Sequence, residues 1–407
     1  MGFQQGLAGL NAAARNLDVI GNNVANSNTI GFKSSRAEFA DVYATSVYGS
    51  GAASAGIGAS VSDLAQQFTQ GDLTTTSNSL DIAINGGGFY RLSDNGAISY
   101  SRNGQFKLDK DGFIVNAQSL KLTGFATGAN GAVNGGVPQE LRLETTDIAP
   151  RLTTNARVGL ALDAGALAPT VPFDVADGSS YSGATSLGVV DSLGREHAMA
   201  LYFRKTADNA WEVYGTADGV VLGAGAPIGN LNFNTDGTLN AATSTMPMNV
   251  AVPVGADAGG TQTVAISLAG ATQFGEDFSI SELQQDGYSS GRLAGFSVGA
   301  DGTILARYTN GETMARGRIA LANFTNPQGL QSQGGNQWAE TADSGPPLVG
   351  SPGSGTLGVL QSGALESSNV DLTAELVNMI TAQRVYQANA QTIKTHDQLL
   401  QTIVNLR

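Results

Sequence analysis

The chain has 407 residues, 41% of them hydrophobic, no cysteine and a formal net charge of -13. That length supports two or three domains with cores of their own, and the lack of cysteine excludes disulfides and thiolate chemistry. The acidic balance argues against nucleic acid, which needs clustered Lys and Arg, and no run approaches about 18 apolar residues, so no membrane span is expected.

In the opening segment Phe3, Leu10, Leu17 and Val24 recur every seventh position, and Leu7, Ala13, Ala14 and Ile20 fill the half-turns between them. This spacing predicts an amphipathic helix with a narrow apolar seam of Phe3, Leu7, Leu10, Leu17, Ile20 and Val24. The segment has no basic leader, apolar block or small-residue cleavage site, so no cleavable signal is expected. The next stretch, "GNNVANSNTIGFK", packs Asn22, Asn23, Asn26 and Asn28 ahead of Gly31 and Phe32. Asparagine tolerates left-handed backbone and bonds to its own main chain, so these residues are expected to end the helix and shape its exit without a ligand. Residues 31–70 then read as a connector. It holds the small, polar "YGSGAASAGIGAS" and, in "DLAQQFTQGDL", a short strand or helix.

From residue 71 the texture changes, and 54 glycines in the chain go with short apolar runs. Asn103-Gly104, Asp111-Gly112, Asp236-Gly237, Asp301-Gly302 and Asn310-Gly311 punctuate those runs and predict hairpins with type I′ turns. Trp211 and Trp338 are expected in the core of this β body rather than on a ligand platform. A second connector, 340–370, gathers Pro, Gly and Ser. The closing segment, 371–407, reads as a helix capped by Asp371, with a seam of Leu372, Leu376, Met379, Tyr386, Ala390, Ile393, Leu400 and Val404. Gln383 and Asp397 interrupt that seam. Side-chain charges cancel in both end segments, so the acidic surplus lies in the middle.

Several motifs yield to plainer readings. "GYSSG" fits the nucleophile-elbow pattern around Ser289, but a strand and turn follow it, and the only histidines are His197 and His396. "GSGTLG" at 353–358 lies in the proline-rich connector without a preceding strand, and no Gly-Lys pair exists for a phosphate loop. "KLDKDGF" would place Lys107 and Gln118 at calcium-ligand positions, so it reads as a hairpin. Two distant histidines without cysteine cannot build the usual transition-metal site. No catalytic residue, cofactor or metal is expected.

Apolar helices at both ends have two readings: a pair that caps the chain's own body, or a self-assembly device that orders when neighbours supply the opposite face. The opening "GLAGLNAAARNLDVIGNNVANSNTIGFKSSRAEFADVYA", the closing "LESSNVDLTAELVNMITAQRVYQANAQTIKTHDQLLQTIVNL", and "NGGGFYRL", "YSRNGQFKLDKDGFIVNAQSLKLTGF" and "ALANFTNPQGLQSQGGNQWAETADSG" between them resemble the bacterial flagellar rod and hook axial family. The resemblance covers nearly all of the chain outside about 145–285, and that extra segment resembles the hook-type members. It implies a mainly β body of two β-rich domains, one inserted in the other, with N- and C-terminal helices pairing as a coiled-coil-like assembly domain.

The expected division is 1–30 with 371–407 as helices, 31–70 with 340–370 as connectors, 71–144 with 286–339 as the inner β domain, and 145–285 as the inserted outer domain. The resemblance further implies a non-catalytic homopolymer, a hollow curved tube outside the cell that transmits torque as a universal joint. Its implied partners are the distal rod, hook cap and hook-filament junction proteins and the flagellar type III export apparatus. Alternatives are a distal rod role or, from another class, a secreted β-rich adhesin or hydrolase.

Overall fold

The structure, a computed structural model, describes residues 2–42, 58–128, 136–144 and 146–405. The chain is mostly β with one long helix near each end. Its contacts form two units, one of Met1–Thr145, Gly295–Ala306 and Thr313–Arg407, the other of Thr146–Ala294 and Arg307–Glu312. The second is inserted in the sequence of the first.

In the first unit, α1 spans Gly2–Ala25 and α2 spans Leu372–Asn405. The amides of Thr373 and Ala374 donate to Asp371 Oδ1 at 2.9 and 3.1 Å, so the expected cap starts α2. Glu375 in its first turn complements the helix dipole. The asparagine stretch differs from expectation. Asn22 and Asn23 lie inside α1, and neither they nor Asn26 and Asn28 take a positive φ. The left-handed residue at the exit is Gly31, at φ 68°. A Cβ there would stand 2.7 Å from the Asn103 amide nitrogen, so backbone geometry and close approach both require glycine.

The expected connector after α1 is partly a hairpin-like pair, β1 (Ser35–Val42) antiparallel to β2 (Gly58–Gln66), with a register shift at Glu38/Phe39. Most of "YGSGAASAGIGAS" lies outside the described residues, whereas "DLAQ" closes β2. The late connector also contributes pairing. Leu348–Gly350 joins Leu321–Asn323, Val359–Ser362 joins Ile82–Asn85, and Ala364–Glu366 joins Leu73–Thr75. Strands near both ends of the β body thus bring the chain back to the base of the helices. Its cores hold Ile82, Tyr90, Leu92, Ile114, Leu122 and Leu321 in one cluster, and Phe89, Tyr100, Phe324 and Trp338 in another.

The second unit has two five-stranded sheets around a core that includes Val158, Leu160, Leu201, Phe203, Trp211, Val250 and Ile266. Trp211 and Trp338 are both core residues, and the Trp211 indole donates to Gln273 at 2.9 Å. Turn chemistry is a correction. At Asp111-Gly112, Asp236-Gly237, Asp301-Gly302 and Asn310-Gly311 only the glycine is left-handed, and the hydrogen bonds define three-residue loops that end in a glycine bulge. Asn103-Gly104 is no turn of that kind; a Cβ on Gly104 would run into the Ile82 carbonyl oxygen. Two-residue turns with both φ positive occur instead at Asn95-Gly96 and Asp218-Gly219.

Candidate assembly site

The first unit joins α1 and α2 as an antiparallel pair. A Cβ on Gly6 would lie 3.1 Å from Ile393, one on Gly9 would lie 2.9 Å from the Asn389 side chain, and Asn23 meets Glu375. The buried line of α1 is Gly6, Ala13 and Ile20, which repeats every seven residues but sits three positions from the Phe3, Leu10, Leu17, Val24 series. Three positions are roughly 60° around the helix. The facing line of α2 is Glu375, Met379, Ala382, Asn389 and Ile393, with Ala382 fully inside. Gly6, Gly9, Ala13 and Ala382 let the backbones approach, so most of the leucines are displaced from the contact.

That displacement sorts the predicted seam. Ile20 is buried, Leu10, Leu17, Val24, Met379, Ala390 and Ile393 are half-buried, and Phe3, Leu7, Leu372, Leu376 and Tyr386 are exposed. The side chains of Leu400 and Val404 lie outside the described residues. Val377, Ile380, Val385 and Leu399 are also exposed, Val377 at 58%. Gln383 and Asp397 face outward and do not interrupt the intramolecular contact. An unassisted chain therefore leaves a long apolar surface in water.

Asn23 fastens the pair to the hairpin. It is 1% exposed; its Nδ2 donates to the Ser35 carbonyl at 2.8 Å and to Glu375 Oε1 at 2.9 Å, and its Oδ1 accepts the Ser35 amide at 2.9 Å. Asn26 instead bonds locally to the Asn22 carbonyl, and Asn26 Oδ1 accepts from Thr29. Between α1, α2 and β1 lies a groove of about 650 Å³, with Ala12, Asn16, Val19, Phe39, Asn378 and Val385 among its walls.

Beneath the helices a buried charge cluster ties together chain segments remote in sequence. Lys33 Nζ donates to Glu366 Oε1 at 2.7 Å and to the Thr69 carbonyl at 2.6 Å, and Arg102 Nε stands 3.0 Å from Glu366 Oε2. The Gly71 amide adds a bond to Glu366 at 3.0 Å, and Arg102 also donates to the carbonyls of Gly86 and Gly88. Burial pushes the Lys33 amine below its ordinary value, with Glu366 opposing and Arg102 adding to the fall. Lys33, Arg102 and Glu366 escaped the sequence reading because nothing local marks partners so far apart. Gly6 and Ala382 could have been found by searching for repeats of small residues rather than large ones.

The chemical candidates dissolve in the fold. Ser289 is exposed on extended chain with no helix after it, and its carbonyl accepts from Asn310. Lys107 lies in a short paired strand, Gln118 lies in a turn, and 353–358 forms turns. His197 contacts Asp218 and Asp191 rather than a serine, and His396 is half-buried on α2. Among the described residues no group of three or more His, Asp or Glu is placed to hold a metal ion, and no helix is long and apolar enough to cross a membrane.

Comparison with known proteins gives one answer along the whole length. Residues 3–33 match the flagella basal body rod protein family, 83–149 the flagellar hook protein FlgE/F/G D1 domain, 161–288 the flagellar basal body protein FlaE D2 domain, and 361–406 the flagellar basal body rod FlgEFG protein C-terminal family. The flagellar hook protein FlgE of Escherichia coli (strain K12) is 44% identical over 414 residues, covering 100% of both chains. That of Salmonella typhimurium is 45% identical over 415 residues, again with 100% of each covered. That of Borreliella burgdorferi is 31% identical, covering 99% of this chain and 98% of the relative. The crystal structure of Helicobacter pylori flagellar hook protein FlgE2 shares the fold, with a TM-score of 0.54 at 13% identity, covering 72% of this chain and 99% of that one.

Proposed function

The chain belongs to the flagellar hook protein family, and from that premise we propose that its terminal helices build the polymer of which it is the structural subunit. The subunit assembles into the hollow, curved tube of the bacterial flagellar hook, a universal joint between rod and filament. Its role is mechanical rather than catalytic. The observation that supports the helices as the assembly layer is the side-chain sorting. Small residues close α1 on α2, while Leu7, Leu372, Leu376, Val377, Ile380, Val385 and Leu399 remain in water. Full burial of one such side chain is worth about 1.5–3 kcal/mol, so covering the exposed half recovers about 1 kcal/mol apiece. Seven such positions can offset the cost of ordering the ends in a polymer.

A torque-bearing inner layer needs tight packing, and the near-neutral ends carry little repulsion to oppose it. The acidic inserted unit suits an exterior that slides without adhering as the tube bends. On this reading the protein lies outside the cell, after export through the flagellar type III apparatus. The distal rod, hook cap and hook-filament junction proteins meet its ends. Removing 1–30 or 371–407 is expected to leave the β units folded, by circular dichroism, and unable to form tubes. Tubes from the doubly truncated chain in electron micrographs would refute the assignment of assembly to the helices.

A further inference from the structure

We propose that Asp191, His197 and Asp218 form a proton-operated latch within the inserted unit, closed by the doubly protonated imidazole and opened at the Asp218-Gly219 turn when one proton leaves. His197 Nδ1 stands 2.7 Å from Asp218 Oδ2, and Nε2 stands 3.3 Å from Asp191 Oδ2. A carboxylate only accepts, so both links require an N–H on each ring nitrogen, which only the imidazolium has. Loss of either proton turns a charge-assisted bond into a lone pair facing a carboxylate.

The two carboxylates are held unequally. Asp191 has no exposed side-chain surface; its Oδ1 accepts the amides of Leu193 and Arg195, both at 2.9 Å, and its Oδ2 accepts Arg195 Nε at 2.8 Å. Asp218 is half exposed and has one other described donor, the Ala198 amide at 2.9 Å. Water can replace the histidine at Asp218 but not at Asp191, so the turn is the end that lets go. The adjoining charges are Arg195, its second partner Asp257, and Glu196 beside the histidine in the same strand. The bond to Asp218, against burial and with help from Asp191, raises the imidazole above its ordinary value. The latch therefore opens on the alkaline side of a free histidine. Val220 and Val221 follow the turn and are exposed, so what loosens is surface that a neighbouring molecule could meet.

The test uses the full chain, in which His197 and His396 are the only imidazoles to assign. Ring nitrogen chemical shifts followed by NMR should show His197 doubly protonated at pH 6 and titrating above about 6.5. In hydrogen exchange, His197→Gln should speed exchange of the 214–221 peptide on the order of tenfold at pH 6. At a pH above the measured His197 midpoint, variant and parent should converge. Asp218→Asn keeps the turn residue's shape and should lower the His197 midpoint even if the first variant folds poorly. A His197 midpoint at or below that of a free imidazole, or equal exchange of parent and variant at pH 6, would overturn the latch.

Discussion

Asn23 is the most informative residue to replace, because one buried side chain holds the end of α1, the start of β1 and the first turn of α2. Asn23→Ala removes two neutral bonds to Ser35, worth about 0.5–1.5 kcal/mol each, and one to the Glu375 carboxylate, worth about 1.5–3 kcal/mol. Ser35 and Glu375 are only half-buried and can recruit water from the groove, which places the expected loss at about 3 kcal/mol. In urea titrations followed by helical circular dichroism, the helix-pair transition should move down by roughly 1 M or more. Asn23→Asp discriminates further. It sets a carboxylate against Glu375 and against the Ser35 carbonyl, so it should be worse than alanine at neutral pH and improve as the pH falls. If Asn23 were only helix-end punctuation, Asp would serve nearly as well as Asn. A wild-type transition in Asn23→Asp would refute the clamp.

The buried charge cluster should respond asymmetrically. Glu366→Gln leaves the buried Lys33 and Arg102 without an anion and should cost about 3–5 kcal/mol, whereas Lys33→Met leaves a balanced Arg102–Glu366 pair and should cost far less, measured by thermal unfolding. Leu376→Asp with Ile380→Asp should change monomer stability little, since both side chains are about half exposed, yet abolish tubes in micrographs; normal tubes would remove these positions from the assembly surface. Gly9→Leu should cost about 1–3 kcal/mol by overpacking against Asn389, read by the same helical signal. At acid pH the inserted unit should weaken through Asp286. Burial works against its carboxylate, but bonds from Asn155 and Thr154 overcome it and hold the group at about 2, below the usual carboxylate range. Its contribution is complete above the unfolded value and is lost as pH falls through about 2; Asp286→Asn should flatten that limb of a pH-stability curve.

What the sequence alone determined is local and periodic. The seven-residue repeats specified helices near both ends, Asp371 marked where the second begins, and glycine after Asn or Asp marked chain reversals at every predicted pair except Asn103-Gly104, because these depend on neighbours a few residues away. The burial of both tryptophans was legible for a similar reason, since a large apolar ring in a β body has few favourable places outside a core. Tertiary structure decided which face of each helix closes on the other. Helix contact depends on how nearly two backbones approach, so Gly6, Gly9, Ala13 and Ala382 took the inside and displaced the leucines that dominate the pattern. It also decided that Asn23 is a buried clamp rather than an exit signal, and that Lys33, Arg102 and Glu366 share one site. Such pairings join residues up to 352 positions apart in the chain, and a hydrogen bond leaves no periodicity in sequence to announce its partner.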